Sequence, residues 1–573
     1  MRTNPRSERE VDQTKVLAPP TEPRIFGVFA GLVSGAVAVA IGLVIAGIIT
    51  VVSPIDAVGS VVIDHVPLGI KEFAVNNFGT SDKLALRIGI YTILAIAAMA
   101  LGLLAVNRPV TGAAGIGVFG IVGMLAASSR PSQPTSALFP SLIGAALGAP
   151  LLYYLATRIR PIRSIEIPGR SRVPLGMDRR RFLITSGGAA AVAVVAGAGA
   201  RALENNRVST LDASRPAALP PVSSSTPAGG RSAGTSGSSS GPPASSSSGP
   251  PVSSSSGPAV GAGADPVTPS SNPLDAANVD SAIPFITPNA QFYRIDTAQS
   301  FPNINVKTWK LDIKGMVDKP ISLSYADISA MPQVERTITM TCVSNDIGGD
   351  LIGTAVFQGV LLKHVTDMVG IHAGAEQVFG TSVDGFTCGF PVSVLQDGRD
   401  AMIAIGMNGE ALPLAHGFPA RIVVPGLYGY VSGTKWVQSL EMTTWDQAEG
   451  YWIPRGWSRD GPIKTQSRID VPRRGDKTPA GTVRVAGVAW AQHRGIEKVE
   501  VNVDRGPWQL ATLGADVTDD AWRQWYIDVT MAKGNHSLQV RATDTTGATQ
   551  TKEVTDVAPD GATGYHTRTI GVS

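Results

Sequence analysis

Cys342 closes a strand-like run, Arg336-Thr-Ile-Thr-Met-Thr-Cys342, and Val343-Ser-Asn-Asp346 follows it. It is one of two cysteines in 573 residues. A lone thiolate at a strand end suits a soft metal or a nucleophilic role. The plainer reading is a small buried hydrophobe. Two cysteines cannot make a disulfide framework; they leave one bridge, to Cys388, or two separate thiols. Downstream stand His416-Gly-Phe-Pro-Ala-Arg421 and then Gly433-Thr434-Lys435-Trp436. A His, an Arg and a Lys framed by Pro and Gly can hold an anionic cofactor; the alternative is plain surface charge.

These groups need a scaffold, and the chain supplies several segments. From about Ile283 short apolar runs alternate with Gly/Pro turns, with helical patterns over Gln358–Val369 and Pro391–Gln396. This predicts an α+β domain over 283–471. Thr482–Trp490, Val499–Val503 and Ser537–Ala542 alternate as strands between turn signals, which predicts an immunoglobulin-like β-sandwich over 472–573. The Arg residues cluster, so the net charge of +3 says little, and no nucleic-acid partner is expected.

The first third of the chain is apolar. Ile25 to Ile55 carries no charged residue, ample for a spanning helix of about 20 residues. Residues 88–106, 110–128 and 137–157 add three candidates, and Phe182–Ala200 a fifth. The predicted order is a cytoplasmic tail over 1–24, a four-helix α-helical membrane bundle over 25–157 and an Arg-rich cytoplasmic loop over 158–181. A fifth transmembrane helix over 182–202 and a Ser/Pro/Gly-rich linker over 203–282 follow. Arg158 to Arg181 holds eight Arg against Glu166 and Asp178. The excess of positive charge puts this loop and the tail in the cytoplasm, and everything after 202 outside it. Asp178-Arg-Arg-Arg-Phe-Leu183 before an Ala/Gly stretch has the form of a twin-arginine signal; an ordinary positive flank is the alternative. The helices serve as an anchor or pass electrons to a quinone. His65 is the only His before the linker, so paired His ligands for haem are not expected. Pro220–Pro258 is nearly all small and polar and reads as a mobile stalk.

Five segments in order carry a resemblance. They are Thr287-Pro-Asn-Ala-Gln-Phe292-Tyr293-Arg294, the Cys342 run, Asp384 in Val383-Asp-Gly-Phe386, Met407-Asn-Gly-Glu-Ala-Leu-Pro413, and His416 through Trp436. Together they resemble the sulfite oxidase family of molybdopterin enzymes, in which a molybdopterin domain precedes an immunoglobulin-like dimerisation domain. The resemblance implies that Cys342 ligates the metal of molybdenum–molybdopterin and, with Arg294, serves catalysis. It implies cofactor contacts from Phe292, Tyr293, Arg294, Asp384, His416, Arg421, Gly433, Thr434 and Lys435, with His416, Arg421 and Lys435 bonding by charge. Two departures stand out. The family's Cys is followed by Asn and paired Arg, whereas Asn345 is followed by Asp346, which is expected at the mouth of the metal site. The family's catalytic Tyr falls on Cys388 or is unfilled.

The reading is a membrane-anchored, extracytoplasmic molybdopterin oxidoreductase acting on a small S-oxide or N-oxide. A small-molecule substrate, membrane lipid, a separate quinone or cytochrome as electron partner, and a homodimer through the C-terminal domain are the implied partners. The rivals are sulfite oxidation and a non-catalytic stalked envelope binding module.

Overall fold

A computed structural model describes residues 22–67, 69–70, 82–130, 133–159, 179–223, 283–473 and 475–573. The tail, most of the Arg-rich loop and the Pro220–Pro258 stalk beyond 223 lie outside the described residues. The chain forms two compact units, 1–210 with 297–303 and 211–296 with 304–573.

The first unit is helical: α1 (Glu22–Ile49), α2 (Pro54–His65), α3 (Asp82–Asn107), α4 (Pro109–Ser128), α5 (Phe139–Ile159) and α6 (Arg179–Ala213). Among the described residues, five of its helices are long and apolar enough to cross a membrane. Glycine lets α1 and α3 approach closely. A Cβ on Gly31 would lie 2.0 Å from Ala98 O, and one on Gly102 would lie 2.1 Å from Gly27 O. Small residues at these contacts let the helix backbones approach this closely. Outward faces stay apolar, as at Phe29, Ile93 and Leu125.

Two features differ from expectation. The amphipathic α2 was not anticipated, because twelve residues cannot span and its apolar run is broken by acids. Ser53 Oγ caps it by accepting from Asp56 N at 3.1 Å. Its acids pair with neighbouring elements, Asp56 with Arg87 at 2.8 Å and Asp64 with Arg130 at 2.7 Å. The fifth apolar helix does not end at 202: α6 continues to Ala213. Arg207 grips Glu204 with two bonds of 2.8 and 2.6 Å, an i,i+3 pair that helps carry the helix past its apolar stretch. The expected linker therefore begins with helix. Beyond it Pro220 O accepts from Gln358 Nε2 at 2.7 Å and Ser223 N donates to Gln333 O at 3.0 Å.

The second unit is built on strands: β1 (Lys310–Gly315), β2 (Ile321–Ser324), β3 (Val334–Thr341), β4 (Ile352–Leu361), β5 (Gln377–Ser382), β6 (Thr387–Pro391), β7 (Met402–Met407), β8 (Glu410–Ala411), β9 (Arg421–Val423) and β10 (Val437–Thr443). They make two sheets, ordered β2-β1-β10-β5-β6 and β3-β4-β7-β8, with β9 on β7. Short helices α7 (Tyr325–Ala330), α8 (Leu362–Val369) and α9 (Gly429–Ser432) complete the α+β part. The helix expected over 358–369 starts only at Leu362, because Gln358–Leu361 pair with β7. At 391–396 a single 3₁₀ turn forms, Val392–Leu395.

The C-terminal part holds β11 (Gln466–Val471), β12 (Gly481–Trp490), β13 (Ile496–Val503), β14 (Gln509–Leu510), β15 (Thr512–Leu513), β16 (Arg523–Met531), β17 (Gly534–Asp544) and β18 (His566–Val572). Two sheets, β11-β12-β16-β15 and β14-β13-β17-β18, close over one core that includes Ile469, Val485, Val501, Trp525 and Leu538. The expected boundary at 471 moves earlier, because Gln466–Val471 pair antiparallel with β12.

Candidate active site

Cys342 leaves β3 at the edge of its sheet. Its amide donates to Leu351 O at 2.9 Å and its carbonyl accepts from Asn345 N at 3.1 Å, so the chain turns just past the sulfur. Asn345 locks the turn by accepting from Leu351 N at 2.8 Å. Burial pushes the Cys342 thiol pKa up, with hydrogen bonds from Ser344 and Val343 opposing. Coordination to a metal would deprotonate it. Cys342 and Cys388 are separate free thiols, so no bridge joins them.

The segment carrying Phe292, Tyr293 and Arg294 is fixed by a tight turn between β7 and β8. Asn408 and Gly409 both adopt positive φ, 53° and 81°, which an Asn-Gly pair tolerates. The Asn408 side chain accepts from Val356 N at 2.9 Å and donates to Thr287 O and Asn289 Oδ1 at 3.0 and 2.8 Å. Phe292 then stacks on Tyr293 with centroids 5.2 Å apart and meets His416 edge-on at 5.5 Å.

His416 follows Leu414 on a 3₁₀ turn, and its Nε2 lies 2.9 Å from Asn289 O. A carbonyl only accepts, so the proton sits on Nε2. Burial, then Arg421, Lys435 and Arg294, hold the His416 pKa down to about 4, against the bond to Asn289. His416 is therefore neutral with Nδ1 as an acceptor, and the expected charged bond from it is corrected.

Arg421 opens β9. Its guanidinium lies 5.8 Å over the Phe357 ring and donates through Nη1 to His416 O at 3.3 Å. Burial lowers its pKa to about 10. Lys435 follows α9, where Gly433 makes the exit: a Cβ there would lie 2.9 Å from Gly429 O. Thr434 is tied to β9 by Ile422 N at 2.9 Å, and its hydroxyl meets Cys388 Sγ at 3.0 Å. Burial lowers the Lys435 pKa to about 8 although Asp296 opposes the shift. Asp296 accepts from Lys435 Nζ at 2.5 Å and from Arg294 Nε at 2.8 Å. Asp384, in the β5–β6 turn, accepts from Phe386 N at 3.2 Å; burial raises its pKa, and Asp296 and Lys435 are charged neighbours.

The ten expected residues thus gather in one unit, Gly433 and Thr434 as the mount of Lys435. Sequence reasoning missed Asp296, which no motif marks, and Tyr428, which lies inside the quoted His416–Trp436 segment. Tyr293 and Tyr428 both feel the charge of Cys342. Burial raises both phenol pKa values, that of Tyr428 to about 12. Asp346, expected at the metal mouth, is exposed, and its charged neighbour is Asp556.

The residues suit an anionic pterin that brings its own metal ligands. Arg421 Nε and Asn345 Nδ2 are buried donors without a partner, an arrangement that asks for an acceptor. Arg294, Arg421 and Lys435 supply positive charge, Cys342 a sulfur, and His416 Nδ1 and Asp384 acceptors for ring N–H groups.

Two family models match, the oxidoreductase molybdopterin binding domain over residues 298–452 and the Mo-co oxidoreductase dimerisation domain over 462–566. The chain is 26% identical over 304 residues to the mitochondrial sulfite oxidase of Homo sapiens, covering 45% of this chain and 55% of that one. It is 28% identical over 300 residues to the sulfite oxidase of Gallus gallus, covering 44% and 64%. It is 31% identical over 153 residues to the uncharacterized oxidoreductase YuiH of Bacillus subtilis, covering 27% and 74%. The chain spans about half the length of the sulfite oxidases it matches first.

Proposed function

The chain belongs to the sulfite oxidase-like family of molybdopterin oxidoreductases, and from that membership we propose that it is a membrane-anchored reductase of small S-oxides or N-oxides. Its cofactor is molybdenum–molybdopterin. The observation that carries the reading is the buried Cys342 thiol in the same unit as the cations Arg294, Arg421 and Lys435. The overall reaction is R2S=O + 2 e⁻ + 2 H⁺ → R2S + H2O, with a quinol or a reduced cytochrome giving the electrons. Molybdenum held by the pterin supplies oxygen-atom transfer coupled to two-electron exchange.

The chain's own residues do the rest. Cys342 Sγ is the protein ligand to the metal. Arg421 and Lys435 hold the cofactor's anionic groups, and Asp296 fixes the Lys435 ammonium and the Arg294 guanidinium in place. Phe292 packs edge-on against the buried His416, whose Nδ1 remains an acceptor. Tyr293 and Tyr428 stay protonated at neutral pH, because burial raises both phenol pKa values. We assign the C-terminal sandwich to the immunoglobulin-like class and propose that two chains pair through it.

Sulfite oxidation is the competing reading, since two of the relatives are named for it. Sulfite is a dianion, and the paired Arg that the family carries after its Asn are missing from Asn345-Asp346-Ile347. The test uses the full chain, purified in detergent after cofactor-competent expression. Metal analysis should find molybdenum, and reduced methyl viologen should be oxidised by a neutral sulfoxide or N-oxide. Ferricyanide-linked sulfite oxidation at micromolar sulfite, without reduction of any oxide, would replace this reading by sulfite oxidation. Absence of molybdenum would favour the non-catalytic module.

We further propose that the five helices cross the membrane and leave residues 283–573 outside the cytoplasm, exported through the Arg179-Arg180 signal. Arg179→Lys with Arg180→Lys keeps the charge but removes the guanidinium groups. Protease added to intact cells should digest the 283–573 region in the parent and spare it in the double variant. Equal digestion of both would reduce the Arg row to a topology signal.

A further inference from the structure

A cavity of about 310 Å³ lies within the second unit. One wall is Gly389 of β6, the residue after Cys388, whose sulfur touches Thr434. Another is Tyr430 of α9, the helix that leads into Gly433-Thr434-Lys435. Two elements of the cofactor cradle therefore continue directly into the cavity. The remaining walls come from the segment 445–460, with Trp445, Glu449, Arg459 and Asp460.

Size and charge both restrict what fits. A four-atom oxyanion would leave most of this volume empty, whereas organic ligands commonly occupy sites of about 300 Å³ and more. The Tyr430 ring is held by its hydroxyl, which donates to Ser458 O at 2.6 Å, and by Trp457 at 5.8 Å between centroids. The one lining cation, Arg459, lies 4.9 Å over the Trp445 ring. Glu449 and Asp460 are exposed at the rim, so the lining carries two carboxylates against one guanidinium.

We infer that this cavity holds the organic body of the substrate and that Glu449 and Asp460 select a neutral or cationic body over an anionic one. The inference rests on the proposed reductase reading. The Tyr430 ring gives apolar area and attracts a positive group through its quadrupole, whereas Arg459 already covers the Trp445 ring. The carboxylates add a field that salt can screen. Exposed charge pairs are individually weak, so the two together should separate a cationic from an anionic substrate by roughly five- to twentyfold.

The test takes three sulfoxides of matched size bearing a trimethylammonium, a hydroxymethyl and a carboxylate group. The cofactor-loaded full chain is titrated calorimetrically with each, and turnover is followed with reduced methyl viologen. The expected order of affinity and of 1/KM is cationic, neutral, anionic, compressed by high salt. In Glu449→Gln with Asp460→Asn the separation should shrink to about twofold or less. Equal binding of the three by the parent, or an unchanged order in the double variant, would overturn the inference. Ordered binding without turnover would uphold the cavity's selectivity and remove the reductase reading; turnover without order would do the reverse.

Discussion

Cys342→Ser should leave the β3–β4 sheet folded and take turnover below about one-hundredth of the parent, beyond the 10–100-fold range typical of groups one step removed from a metal. Serine keeps nearly the same shape, so the turn held by Leu351 and Asn345 survives. What is lost is a sulfur that binds as a thiolate; a serine hydroxyl is harder and far less acidic. Arg421, Lys435 and Arg294 remain, so pterin content should fall little. X-ray absorption at the molybdenum edge reads this directly. One sulfur fewer at the metal, with pterin retained, is the expected result. An unchanged sulfur count would remove Cys342 from the metal.

Arg421→Met should have the second largest effect, and its sign depends on whether cofactor is present. Methionine fills the space over Phe357 without charge. Losing one partner of a buried, hydrogen-bonded charge pair costs about 2–5 kcal/mol, so retention of cofactor should weaken on the order of a hundredfold or more. Without cofactor the guanidinium has an unpaired Nε and a pKa lowered by burial to about 10. Removing it should then leave the melting temperature unchanged or raise it. Pterin release measured beside calorimetry of both forms checks the pair of signs. A cofactor-free variant that melts much lower, with retention unchanged, would make Arg421 a structural residue.

Lys435 adds a pH dependence to the same cradle. Its folded pKa of about 8 lies below the unfolded value of 10.5. Between these values the unfolded chain binds more protons, so this group makes the cofactor-free protein more stable as pH rises. Cofactor retention should move the opposite way, since the ammonium charge is lost above about pH 8. Both trends should vanish in Lys435→Met.

The sequence by itself determined what local chemistry determines. Long uncharged runs specified the five apolar helices, because solvation of each residue suffices to set that signal. Period-two alternation marked the C-terminal strands, and the order of the Cys342, Asn408-Gly409 and His416–Trp436 segments pointed to the cofactor. The tertiary structure decided the rest, because it depends on residues distant in sequence. The apolar count ended the fifth helix at 202, while the Glu204–Arg207 pair helps carry it to Ala213. Gln358–Leu361 had a helical pattern but found strand partners in β7. His416 looked like a cation until burial and three neighbouring positive groups made it neutral. Asp296 had no motif, yet folding sets it between Lys435 and Arg294, where it fixes two charges that a bound anion would meet. Charge state and partner choice follow from desolvation and distance, and only the folded chain sets those.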